Sequence, residues 1–146
     1  MLLASCYGGI CIASSSTTAI HALSYPLGGR YHIPHGLSNA ILMPLVMDVN
    51  KNSCKEKYFE MARALGLDVN GKSQDEVAQL FVDELYAINR DLNVKCDLKA
   101  VGVTLDVIDS LVEGASKVTR LLNNNPKDLS KDEMREIYVK LLKANS

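Results

Sequence analysis

The sequence predicts an all-α domain of about six helices, and three observations carry that prediction. First, Ser73-Gln-Asp-Glu76 and Ser130-Lys-Asp-Glu133 are capping-box patterns, each followed by apolar residues at helical period. Second, no segment alternates apolar and polar residues between hairpin turns. Third, the chain has 146 residues, 47% of them apolar and 23% charged. That is one ordinary globular domain, able to bury roughly 70% of the surface its unfolded chain exposes. No internal repeat or low-complexity tract interrupts it.

The elements follow in order. Leu2 to about Leu23 reads as one helix rich in Ala, Gly, Ser and Cys. Its propensity is poor, but its small side chains suit a buried central helix. Tyr25-Pro26-Leu27-Gly28-Gly29 is expected to end it, because Pro26 restricts Tyr25 and two glycines follow. Gly36 to about Val49 is a second apolar helix, entered at Pro34, with a kink or local break expected at Pro44. Lys55 to Leu65 places Tyr58, Met61, Ala62 and Leu65 on one stripe and stops at Gly66. The helix after Ser73 turns Val77, Leu80, Phe81, Leu85, Ile88 and Leu92 inward. Thr104 is the cap of a helix with Leu105, Ile108, Leu111, Val112 and Ala115 inward. The last helix buries Met134, Ile137, Tyr138, Leu141 and Leu142.

Charge is distributed unevenly. The formal net charge is −1, which removes the electrostatic case for nucleic acid or an anionic membrane as main partner. From Met1 to Met47 the only Asp, Glu, Lys or Arg is Arg30. Such a segment is core, or it faces a surface that excludes water. It is not read as a membrane span or a signal peptide: it has no basic leader, and Gly8-Gly9 and Ser14 to Thr18 dilute the apolar run well below the roughly 18 residues a span needs. Cys6, Cys11, Cys54 and Cys96 form no CxxC pair. They read as reduced thiols in a cytoplasmic protein.

All three histidines, His21, His32 and His35, lie in this uncharged third. Neutral imidazole carries a lone pair near neutral pH and is the commonest side-chain metal ligand. A histidine late in one helix and another early in the next can converge across the loop between them. The opposing reading is that each is a hydrogen-bonded structural histidine, and spacing alone leaves both open. Two or three histidines also fall short of a catalytic site, which needs three protein ligands or more. The next carboxylate, Asp48, lies thirteen residues past His35.

The stretch from His21 to Asn50 resembles the signature of the iron-containing, or group III, alcohol dehydrogenases. The resemblance is carried by His21, Tyr25-Pro26-Leu27-Gly28-Gly29, Pro34-His35-Gly36, Asn39-Ala40-Ile41-Leu42, Pro44 and Met47. Leu3 to Ser15 is similar to the small-residue helix before that signature. Asn124-Asn125-Pro126 and Leu129 to Leu142 are similar to the family's closing segment. The resemblance implies that residues 1–146 are the C-terminal, helical metal-binding domain of the iron-containing alcohol dehydrogenase and dehydroquinate synthase-like fold. It implies an N-terminal dinucleotide-binding domain that this chain does not contain.

Further expectations follow from the resemblance. The family holds its metal, Fe2+ or in some relatives Zn2+, with one Asp and three His. His21 and His35 match two of these, and the other two lie upstream in the family. NAD or NADP is the implied cofactor of the intact enzyme, and a small alcohol or aldehyde its substrate. Tyr25 stands where some members have a histidine near the substrate, and here it is expected to pack. His32 is expected behind the ligands or at the surface, with a ligand role as the lesser alternative. Gly28 and Gly29 either let the loop approach the substrate or simply terminate the helix. Arg30 either faces a cofactor phosphate or is solvated. Ser38 and Asn39 are expected to orient the helix beneath His35. The isolated chain is expected to be inactive and, through apolar surface, to self-associate as a homo-oligomer. Two other readings stay open: a non-catalytic interaction module, and a zinc enzyme of the glycerol dehydrogenase or dehydroquinate synthase type.

Overall fold

The computed structural model describes residues 1–144. These form eight α-helices and two short 3-10 turns: α1 Leu2–Ser15, α2 Ala19–Tyr31, α3 His35–Asn50, α4 Lys55–Ala64, α5 Gln74–Asp91, α6 Ile108–Ser116, α7 Thr119–Leu122 and α8 Lys131–Ala144, with 3-10 turns at Lys51–Ser53 and Leu105–Val107. No strand occurs among the described residues. No helix among them is long and apolar enough to cross a membrane.

The main core lies where α2 and α3 meet α6 and α8. Leu23, Leu27, Leu42, Val46, Leu111, Ile137 and Leu141 interlock there, with Leu98 and Val103 contributed by the loop before α6. Burying a Leu or Ile side chain contributes roughly 1.5–3 kcal/mol. Tyr138 hangs from α8 into this core and donates its hydroxyl to the Leu23 carbonyl at 2.7 Å. Gly114 lets α6 approach α2: a Cβ there would sit 3.2 Å from Pro26 Cγ. A second core joins α4 to α5 around Tyr58, Ala62, Phe81 and Val82. Tyr58 packs against Phe81, ring centroids 4.9 Å apart, and donates to the Met47 carbonyl on α3 at 2.9 Å.

Several sequence expectations are corrected. The first helix does not run to Leu23, and α1 is not a buried central helix: no residue of it is buried. It ends at Ser15, and Ser16 turns the chain at φ 62°. That junction is held from outside, since Arg120 donates to Ser16 Oγ at 3.0 Å and Asn124 Nδ2 donates to the Ser15 and Thr17 carbonyls. Nor does Tyr25 to Gly29 end a helix: α2 runs through Pro26, Gly28 and Gly29 to Tyr31. Its stop is His32, which caps it in the left-handed conformation (φ 54°), with its N–H bonded to the Gly28 carbonyl.

Pro44 does not break α3. A proline there removes the donor for the carbonyl four residues back, Ala40. Asn89 of α5 replaces it, donating Nδ2 to the Ala40 oxygen at 2.7 Å. Met61, Leu65, Leu92 and Leu105 are exposed and not inward. Residues 105–107 form a 3-10 turn before α6 starts, and α7 was not expected. Both capping boxes are present. Ser73 and Ser130 each exchange bonds with the Glu three residues on.

Candidate metal centre

His21 lies in the first turn of α2 and His35 opens α3, and the two helices pack against each other. The imidazole centroids are 5.2 Å apart and the rings are inclined at 57°. Tyr25, one turn beyond His21, brings its ring to 6.3 Å from His35. His32 is exposed and its backbone is occupied as the cap of α2. Arg30 is exposed and donates to Ser110 Oγ on α6. Asp48 is bound to Lys51 at 2.7 Å. Among the described residues, no three His, Cys, Asp or Glu side chains come together as a metal site.

The pair can be tested against a shared cation. A zinc–nitrogen bond of about 2.1 Å plus about 1.2 Å from nitrogen to ring centre puts each centroid roughly 3.3 Å from the ion, and two such rings on a tetrahedral ion stand about 5.4 Å apart. The 5.2 Å spacing fits. The donor chemistry fits as well, because imidazole suits iron and zinc. Partial burial and the neighbouring His35 hold the His21 pKa below the usual histidine value. His21 is therefore kept neutral, with a lone pair, at the pH where an ordinary histidine begins to charge. Two donors are half of a closed tetrahedral set.

Ser38 supports the backbone beneath His35 as expected, and Ser24 does the same beneath His21. His-x-Leu-Ser occurs twice, at His21–Ser24 and His35–Ser38. In both, the buried serine donates Oγ to the histidine's own carbonyl at 3.0 Å. This satisfies each hydroxyl locally and ties down the backbone that carries the ring. Asn39 was expected to orient the helix, but it reaches the imidazole itself: its Nδ2 is 3.0 Å from His35 Nε2. The clue was the four-residue spacing, which puts both side chains on one helix face.

The described residues thus form an α-helical domain in which two imidazoles, from the first turns of adjacent helices, stand 5.2 Å apart. The chain belongs to the Fe-containing alcohol dehydrogenase family: residues 1–142 match the model of its C-terminal region. The chain is 33% identical over 138 residues to the lactaldehyde reductase of Escherichia coli, covering 94% of this chain and 36% of that protein. It is 34% identical over 130 residues to long-chain-alcohol dehydrogenase 1 of Geobacillus thermodenitrificans, covering 89% and 33%. Among solved structures, a 1,3-propanediol oxidoreductase superposes with a TM-score of 0.81 at 26% identity, covering 86% of this chain and 33% of that one. An archaeal alcohol dehydrogenase from a Red Sea brine pool gives 0.77 at 30% identity, covering 87% and 33%. The chain thus spans about a third of the length of the proteins it matches.

Proposed function

We propose that this chain is the metal-holding helical domain of an NAD(P)-dependent alcohol dehydrogenase that interconverts a primary or secondary alcohol and its aldehyde or ketone. The observation that carries this reading is the 5.2 Å approach of His21 and His35 in a chain that belongs to this family. The two histidines are the proposed ligands, with Fe2+ as the cation and Zn2+ as its alternative. The remaining donors and the dinucleotide site would come from an α/β domain of the N-terminal type. The working enzyme is proposed to be cytoplasmic and homo-oligomeric, with neither nucleic acid nor membrane as partner.

When bound, the cation supplies Lewis acidity to the alcohol or carbonyl oxygen, and NAD or NADP supplies the hydride acceptor or donor. The chain's own residues prepare the site. His21 stays neutral through burial and the proximity of His35. Ser24 and Ser38 fix the backbone beneath both rings. Tyr25 flanks His35 and narrows the approach to it. No nucleophilic side chain is required, in keeping with a sequence that shows no Ser-His-Asp arrangement.

A second reading, a non-catalytic helical interaction module derived from the same family, is favoured by one observation: α1 is apolar and exposed throughout. Calorimetric titration with Zn2+ separates the two. The metal-domain reading expects binding that falls by more than about a hundredfold in His21→Ala and in His35→Ala, beyond the roughly 10–100-fold that loss of a supporting partner costs. Unchanged binding in both variants contradicts it. The chain alone is expected to give no alcohol-dependent reduction of NAD or NADP.

A further inference from the structure

Asn39 holds an unusual position. Its Oδ1 is the one buried side-chain polar atom without a partner among the described residues, while its Nδ2 lies 3.0 Å from His35 Nε2. An orphaned buried acceptor costs roughly 1–3 kcal/mol. The only other bonding of this amide is to the ring of a candidate ligand, so the cost and the contact share one residue. The two side chains meet because residues four apart stack on one helix face and side chains lean toward the helix N-terminus.

The amide could be turned over, which would set Oδ1 against a protonated Nε2. That would move the N–H2 group to the buried place Oδ1 now holds, where each of its two donors would need an acceptor. Orphaned donors are rarer in proteins than under-satisfied carbonyls. The observed orientation is therefore the better of the two. It has a chemical consequence: a ring nitrogen that accepts from an amide carries a lone pair, so the ring proton of neutral His35 must sit on Nδ1.

We infer that Asn39 is a positioning residue that locks His35 in the Nδ1–H tautomer and presents Nε2 as the lone-pair nitrogen. Its value to the domain rests on the reading of His35 as a metal ligand. A cation would take the Nε2 lone pair in exchange for the amide hydrogen bond, with no tautomer change needed first.

The test is long-range 1H–15N correlation spectroscopy on the metal-free chain at about pH 8, where an ordinary imidazole is neutral. In the unaltered chain, His35 Nε2 is expected to show the shift of an unprotonated nitrogen. Asn39→Ala releases the ring to the tautomer mixture of a solvated imidazole, in which Nε2–H predominates. Asn39→Asp inverts the preference, because a carboxylate can only accept and draws the proton to Nε2. A ring already carrying Nε2–H in the unaltered chain overturns the inference, whether or not either variant folds. So does the same tautomer population before and after Asn39→Ala in a chain whose other amide shifts are unmoved. Added Zn2+ then separates the two claims. If the tautomer follows Asn39 but Zn2+ leaves the His35 resonances in place, the positioning role stands and the metal-site reading falls.

Discussion

Helices α1 and α8 are both fourteen residues long, and they differ in almost everything else. α8 opens on a reciprocal Ser130–Glu133 capping box and buries Met134, Ile137, Tyr138, Leu141 and Leu142 on one stripe, with charged residues opposite. α1 has no charged residue, no side-chain cap bond and no buried residue. Met1, Leu2, Leu3, Tyr7, Ile10 and Ile12 all lie exposed. An amphipathic sequence states which way a helix faces, and so it fixes a packing. A helix apolar on every side states only that it avoids water. The remaining described residues do not supply the surface α1 calls for.

The sharpest way to break this contrast is to cut one leucine-sized side chain from each helix. Ile137→Ala is expected to destabilise the fold by about 2–5 kcal/mol, because this side chain is almost fully buried in the main core. Leu3→Ala is expected to stay within about 0.5 kcal/mol. Urea denaturation measures both, and a large loss from Leu3→Ala in the monomer would mean that α1 docks on its own chain. In sedimentation, the intact chain is expected to self-associate, and removal of residues 2–15 to shift it toward monomer.

A smaller effect probes polar anchoring. Tyr138→Phe removes the bond from α8 to the Leu23 carbonyl, at an expected cost of about 1 kcal/mol. Tyr7→Phe on α1, where no bond is at stake, is expected to cost nothing measurable.

The smallest effect is pH-dependent and belongs to the α2–α3 junction. The pKa of His21 is depressed by burial first and by His35 second. The unfolded chain therefore takes up the proton before the folded one does. The stabilising contribution is present above the ordinary histidine value of about 6.5, and it declines as pH falls from there toward the lower folded pKa. Replacing His21 by Gln is expected to flatten the stability-versus-pH curve in that window. An unchanged slope in the variant would remove His21 as its source.

The contrast between α1 and α8 also explains what could be read in advance. Helices α5 and α8 were legible because a local signal, the capping box, agreed with the apolar period that followed. The break between α1 and α2 was not, because no proline or glycine marks it. Ser16 is held at positive φ in a junction bound by Arg120 and Asn124, more than a hundred residues away in sequence. Pro26 and Pro44 were read as stops or breaks from local sterics, yet both are absorbed by tertiary structure. Gly114 makes room for the first ring, and Asn89 supplies the missing donor beside the second. At the site, the pairing of His21 with His35 could be anticipated, but not its route: His21 stands in the first turn of α2 and not at a helix end facing His35 across the loop. The hand that holds His35 could not be anticipated, because an asparagine in a helix has many ordinary uses. Only its 3.0 Å contact and orphaned oxygen single it out.

The central claim is that two imidazoles share one ion. X-ray absorption at the zinc edge, on the chain loaded with one equivalent of Zn2+, tests it most directly. The account predicts two imidazole nitrogens at about 2.0–2.1 Å, with the nitrogen shell lost when both His21 and His35 are replaced by Ala. A shell built from oxygen alone, or one that survives the double replacement, would contradict it.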